Sequence, residues 1–234
     1  MVYAVVLSGG IGSRMKDIGI PKQYREYSGM PVIGHCLKTF EEHHQIQQIY
    51  ITAEEGWYSY LKEFIFKNNI SKFRGFTLPG KTRQYSILNA LEEVKKVAKD
   101  DDIIIIHDAA RPFVSKELIS ECINLSAKDD GAMPVLPLKD AIYYSENSKE
   151  ITALIDRTRV YAGQSPESFR FGKYYLANIN MKEDEFLKVS GSTEPAVIAG
   201  MKMKLIVGDE RNFKITTPSD FERFIKMCKE EEKE

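Results

Sequence analysis

The segment Leu7-Ser8-Gly9-Gly10-Ile11-Gly12-Ser13-Arg14-Met15 closes an apolar run, and eight residues after Arg14 stands Lys22, in Pro21-Lys22-Gln23. Small residues let backbone N–H groups approach a polyphosphate, and an arginine and a lysine then neutralise its charge. Two familiar phosphate motifs are excluded. A dinucleotide-binding G-x-G-x-x-G starting at Gly10 fails because position 15 is Met15, and a P-loop fails because no Gly-Lys-Ser/Thr closes the turn. A glycine turn alone often serves only to reverse the chain; Arg14 and Lys22 are what point this one toward phosphate.

A second constellation is His107-Asp108-Ala109-Ala110-Arg111-Pro112-Phe113, where a carboxylate leaves a run of four isoleucines. Magnesium takes one or two carboxylates plus phosphate oxygens, so a strand-end aspartate beside a triphosphate cradle suits Mg²⁺. Asp108 has a purely structural alternative, capping the turn that follows it. His107 reads as a packed strand residue, because attack by an ionised phosphate requires no proton removal.

These residues need a scaffold. Apolar runs at 2–7, 48–52, 102–107 and 203–207 read as strands, and amphipathic segments at 31–43, 57–68, 82–98, 116–126 and 218–229 read as helices. Ser115 and Thr217 sit where N-caps belong. Strands apolar on both faces suit a mainly parallel sheet covered on both sides, an α/β fold that puts ligands at the carboxyl ends of its strands. Around 139–160 the helical rhythm stops. Two strand-like runs joined by Ser145-Glu146-Asn147-Ser148 read as a projecting β-arm, lying on its own domain or serving as a dimer contact.

The 234 residues carry 33 Lys+Arg against 34 Asp+Glu, a formal net charge of −1, which leaves no electrostatic footprint for nucleic acid or anionic lipid. A phosphate ligand must therefore be held by a local cluster. The length suits a single domain over 1–234 with the arm as its appendage. Cys36, Cys122 and Cys228 show neither disulfide nor zinc spacing and suggest buried thiols in a reducing cytoplasm. No apolar stretch approaches the roughly 18 residues of a membrane span, and the start does not read as a signal peptide.

SGGIGSRM with PKQY, PGKTRQYSILNAL at 79–91, HDAARPF, GQSPESF at 163–169 and NFKITTPSDF at 212–221 together resemble the CTP-dependent cytidylyltransferases, in family order. That family includes the enzymes for 2-C-methyl-D-erythritol 4-phosphate and for ribitol 5-phosphate. The resemblance implies a Rossmann-like, GT-A-type nucleotidyltransferase fold, Mg²⁺ dependence and a homodimer joined by the β-arm. It also implies transfer of CMP from CTP to an alditol phosphate, releasing pyrophosphate. It assigns Ser8, Gly9, Gly10 and Gly12 to the nucleotide, Arg14 and Lys22 to its phosphates, and Gly80 and Ser86 to the cytosine. Asp108 and Arg111 match its metal and substrate site, Lys214 its late catalytic lysine, and Arg157 the arginine that crosses the dimer to the acceptor phosphate. Ser165 and Ser190 fall in the segments expected to meet the acceptor.

Each of these residues also has a bland reading: Lys22 as a surface cation, Arg157 as a partner of Asp156 or Glu150, Ser86 as a helix-face hydroxyl, Lys214 as a strand-edge charge. Their joint occurrence in one order favours the catalytic one. The acceptor side departs from the methylerythritol-phosphate pattern, with Ala141 where a threonine is usual and Ser190-Gly191 where a Thr-Asp pair is usual. A ribitol 5-phosphate or related acceptor, used for a surface polymer, is therefore favoured over the isoprenoid intermediate. The other readings are a nucleotide-binding regulatory module without turnover and a sugar-1-phosphate nucleotidyltransferase using another base.

Overall fold

The computed structural model describes residues 1–10 and 19–233. Its strands are β1 (Val2–Leu7), β2 (Glu26–Tyr27), β3 (Met30–Pro31), β4 (Gln48–Thr52), β5 (Phe73–Thr77), β6 (Ile103–Asp108), β7 (Gly131–Pro137), β8 (Ile142–Tyr144), β9 (Ala153–Ile155), β10 (Tyr161–Gly163), β11 (Glu167–Arg170) and β12 (Met203–Val207). Its helices are α1 (Val32–Glu42), α2 (Tyr58–Lys67), α3 (Arg83–Lys95), α4 (Lys116–Ser126), α5 (Phe171–Ile179), α6 (Glu183–Phe186), α7 (Glu194–Ile198) and α8 (Pro218–Glu231).

The principal sheet runs β10-β7-β11-β6-β1-β4-β5, with β12 added alongside β7. β1 is parallel to β4 and β6, β4 to β5, and β7 to β12, whereas β10 and β11 run antiparallel to their neighbours. The mainly parallel sheet expected from the apolar runs is present, with an antiparallel insertion that they did not announce.

Strand side chains alternate faces, so a strand buried on both sides feeds two cores. Val2, Ala4 and Val6 of β1, with Ile103 and Ile105 of β6, join α1, α2 and α4 through Ile33, Phe40, Leu61 and Ile119. Tyr3, Val5, Ile104 and Ile106 face the other way, onto Ile87 and Leu91 of α3 and Tyr174 of α5. Fully burying each such side chain is worth about 1.5–3 kcal/mol, so a charge at Ile105 would break the sheet's centre.

The helices start where their caps dictate. Ser115 Oγ accepts from Leu118 N, and Thr217 with Asp220 forms a reciprocal capping box behind Pro218. Leu7 pairs in register with both Thr52 and Asp108, and Thr52 with Thr77. Four strands thus end level, and the loops that leave them meet on one edge. β8 and β9 form a separate antiparallel pair with little of its own buried.

Candidate active site

A cleft of about 480 Å³ opens at that edge, lined by Gly9, Gly10, Lys22, Pro79, Gly80, Ser86, Asp108, Lys214 and others. The glycine turn is shaped by its neighbours. Gln23 Nε2 donates to the carbonyls of Ser8 (2.7 Å) and Gly10 (2.9 Å), and Ser8 Oγ donates to the Tyr24 hydroxyl at 2.8 Å. Tyr24 in turn stacks on Trp57, centroids 4.2 Å apart. Pro21-Lys22-Gln23-Tyr24 is therefore a strap that fixes the turn and sets Lys22 on the cleft wall. Gly9 is needed for close approach: a Cβ there would lie 2.4 Å from Pro79 Cβ.

The start of α3 forms another part of the wall, next to the glycine turn. Thr82 caps it, Gly80 N donates to Ser86 Oγ at 2.9 Å, and that hydroxyl donates to the Thr82 carbonyl at 3.0 Å. A side chain at Gly80 would collide with Tyr85 Cβ at 2.3 Å.

Asp108 is the electrostatic centre. Its Oδ1 lies 2.8 Å from Arg83 Nη2, its Oδ2 2.9 Å from Lys214 Nζ, and Arg111 Nε stands 3.8 Å from Oδ2. Burial alone would raise its pKa, but the Arg83 and Lys214 charges, with Arg111 behind them, hold the carboxyl well below the usual range. It is an anion at any physiological pH. With Lys22, Lys81, Arg83 and Lys214 on the wall against Glu54 and Asp108, the cleft is positive overall.

The supports are buried. His107 bonds the Arg111 carbonyl through Nε2 (3.0 Å) and Ser165 Oγ through Nδ1 (3.2 Å), and burial lowers its pKa to about 4. It is a neutral strut, as the sequence suggested. Arg111, expected to meet the acceptor, instead donates Nη1 to the Asn212 carbonyl at 2.7 Å and anchors the loop that carries Lys214. Gln164 Nε2 bonds that same carbonyl and the carbonyl of Asp209, while Asn212 Nδ2 bonds the Ser165 carbonyl. Glu167, buried on β11, has an Oε2 without a hydrogen-bond partner among the described residues. Burial raises its pKa to about 7, although Arg83 opposes the shift.

Of the residues singled out in the sequence, Gly9, Gly10, Lys22, Gly80, Ser86, Asp108 and Lys214 come together on the cleft wall. Ser8 lies just behind it. Ser165 is buried, its hydroxyl taken by His107 and by the Asp108 N–H at 3.0 Å. Ser190 is turned away, its N and Oγ both on Glu194 Oε2 at 2.9 and 3.3 Å. Arg157 is exposed at the foot of the β8–β9 arm, bonded to the Lys139 carbonyl. Gly12 and Arg14 lie outside the described residues. Sequence reading missed Arg83 and Glu167; the first stands inside PGKTRQYS, directly after the Thr82 cap, which was the available signal.

The comparisons agree with this geometry. The family model described as 2-C-methyl-D-erythritol 4-phosphate cytidylyltransferase matches residues 2–226. The ribitol-5-phosphate cytidylyltransferases of Streptococcus agalactiae serotype Ia and serotype III are each 30% identical over 229 residues, covering 96% of this chain and 94% of theirs. A solved 4-diphosphocytidyl-2C-methyl-D-erythritol synthase superposes with a TM-score of 0.80 at 22% identity, over 97% of this chain and 98% of that one. The corresponding synthase of Anaerococcus prevotii gives 0.79 at 22% identity, over 97% and 96%. With a cationic cleft at the carboxyl edge of an α/β nucleotidyltransferase fold and a family match over nearly its whole length, the chain belongs to the 2-C-methyl-D-erythritol 4-phosphate cytidylyltransferase family and is a cytidylyltransferase.

Proposed function

We propose that this cytidylyltransferase joins CTP to ribitol 5-phosphate, or to a closely related alditol phosphate, giving a CDP-alditol and pyrophosphate. The observation that carries the chemistry is the set of cations gathered on Asp108 in the cleft that Gly9, Gly10 and Lys22 also line. A phosphate oxygen of the acceptor attacks the α-phosphorus in line, a new P–O bond forms, and the α–β bridging bond breaks with its electron pair leaving on pyrophosphate. No proton has to move. The obstacle is repulsion between two anions, and preorganised cations lower it in the transition state. By resemblance Lys22 serves the nucleotide phosphates and Lys214 the charge that develops between acceptor and α-phosphate, and both line the cleft. Arg14 belongs to the same task by resemblance.

Mg²⁺ fits the residues present. Asp108 offers one ionised strand-end carboxylate, which suits an ion held chiefly by phosphate oxygens, and its Arg83 or its Lys214 contact would have to yield an oxygen to the metal. Asp108 would hold it, and it would supply further neutralisation of the triphosphate.

The acceptor assignment is supported by the ribitol-5-phosphate relatives and by Ser190-Gly191 in the acceptor loop. The methylerythritol phosphate alternative is favoured by the family description. The β8–β9 arm serves as the dimer contact: Tyr143, Ile151 and Leu154 are 58%, 69% and 69% exposed, and so small a hairpin is not stable alone. Pyrophosphate release with CTP and Mg²⁺ across ribitol 5-phosphate, methylerythritol 4-phosphate and glycerol phosphates tests the reading. Turnover with ribitol 5-phosphate as the best acceptor is expected; preference for methylerythritol 4-phosphate would replace the acceptor assignment.

A further inference from the structure

Arg83 opens α3, yet its side chain does not run along the helix. It links the end of β6 to the loop before α7: Nη1 donates to Ser192 Oγ at 2.7 Å, and Nη2 to Asp108 Oδ1 at 2.8 Å. A guanidinium carries five N–H donors in a rigid fork, so two contacts leave others to offer. The side chain is 30% exposed and lines the cleft.

Ser192 is held from both ends. It is wholly buried, its carbonyl accepts from the Tyr174 hydroxyl at 2.7 Å, and Tyr174 stacks on Phe169 with centroids 3.8 Å apart. The Ser192 backbone is therefore anchored, and the hydroxyl it carries fixes the rotation of the guanidinium. The same loop was expected to meet the acceptor through Ser190, whose hydroxyl is committed to Glu194 instead. What this loop presents to the cleft through its buried serine is Arg83. An alkyl phosphate has the geometry that an arginine fork takes bidentately, whereas a neutral polyol has not.

We propose that Arg83 is an anion-binding residue for the acceptor phosphate and that Ser192 is the positioning residue that aims it, a proposal that rests on the cytidylyltransferase reading above. Asp108 is the resting partner of the guanidinium; a phosphate entering from the cleft meets the donors that Asp108 and Ser192 leave over. The glycine turn and the strap of Gln23 and Tyr24 hold the nucleotide side by hydrogen bonds of their own, so Ser192 reaches the site only through Arg83 and its Asp108 contact.

The test is steady-state kinetics with ribitol 5-phosphate and CTP, read by pyrophosphate release. Ser192→Ala should raise KM for ribitol 5-phosphate about threefold to tenfold, the loss of one hydrogen bond, with kcat and KM for CTP little changed. Ser192→Thr, which keeps the hydroxyl, should restore most of the affinity. Arg83→Lys should lose more than tenfold in acceptor affinity, because an ammonium cannot reproduce the fork. Unchanged acceptor KM in the folded Ser192→Ala and Arg83→Lys enzymes would overturn the proposal, as would an effect falling on KM for CTP instead. A wild-type enzyme that binds CTP, uses another acceptor and is unaffected by either change there would overturn it as well, while leaving the CTP site standing. A wild-type enzyme that neither binds CTP nor releases pyrophosphate would remove the reading and this proposal together.

Discussion

Lys214 Nζ lies 2.9 Å from Asp108 Oδ2, on the opposite carboxylate oxygen from the one that holds Arg83. One aspartate thus fixes two cations, one from the start of α3 and one from the loop before α8, at a set separation before any substrate arrives. Preorganisation of this kind is what electrostatic catalysis requires, because nothing has to reorganise as charge develops. Lys214→Ala should therefore lower kcat by about 10²- to 10³-fold while the melting temperature stays close to that of the wild type. Turnover within a factor of a few of wild type would remove Lys214 from the reaction.

Asp108→Asn should act on both stability and metal use. The substitution leaves Arg83, Lys214 and Arg111 facing one another without their shared anion; breaking a fully buried pair from one side costs about 3–5 kcal/mol, and the partial exposure of Arg83 and Lys214 brings the cost below that. A lower urea midpoint is expected, together with a weakened response to Mg²⁺ at saturating CTP. An unchanged Mg²⁺ titration would take Asp108 out of the metal site, whatever happens to stability.

Glu167 gives a pH dependence of the opposite sign to that of Asp108. Burial raises its pKa to about 7, so in the folded protein it keeps a proton that an unfolded carboxyl releases near 4.3. The folded state then binds more protons between those values, and by linkage its stability falls as pH rises from the unfolded pKa through about 7. Glu167→Gln removes that slope. The variant should gain stability relative to wild type as pH goes from 5 to 8, read as the difference in urea midpoint at the two pH values. Equal differences at both would mean that Glu167 ionises normally.

The amino-acid pattern is informative where burial is simple and silent where polar groups are buried for the site. β1 and β6 are apolar on both faces and were read within a residue of their observed bounds; the helices at 31–43 and 116–126 carry a clean apolar stripe. β7 carries Pro134 and Pro137, which argue against an interior strand. β11 reads as polar because Glu167 is buried among the site's charges and Ser168 bonds Ser126 Oγ at 2.7 Å. The site follows the same rule. Gly9, Lys22 and Asp108 were singled out by residue type and spacing and Lys214 only by the family resemblance, and all four line the cleft, whereas Arg111, Ser165 and Ser190 make internal hydrogen bonds. No single sequence distinguishes a hydroxyl facing substrate from one facing its own chain.

Arg157 lies outside the cleft of its own chain, at the foot of an arm whose exposed Tyr143, Tyr144 and Leu154 call for a partner surface. If the arm joins two copies and Arg157 reaches the neighbour's acceptor, each active site is built from two chains. Subunits bearing Arg157→Ala and subunits bearing Lys22→Ala should each be nearly inactive alone. Mixing them with subunit exchange creates heterodimers in which one of the two sites receives both native residues. With random exchange half the dimers are mixed, so activity should recover to about a quarter of the wild-type value. Recovery requires the dimer and the crossing arginine together. Absence of recovery, with exchange confirmed by native mass spectrometry, would place Arg157 in the site of its own chain, and an active Arg157→Ala enzyme would place it outside the reaction.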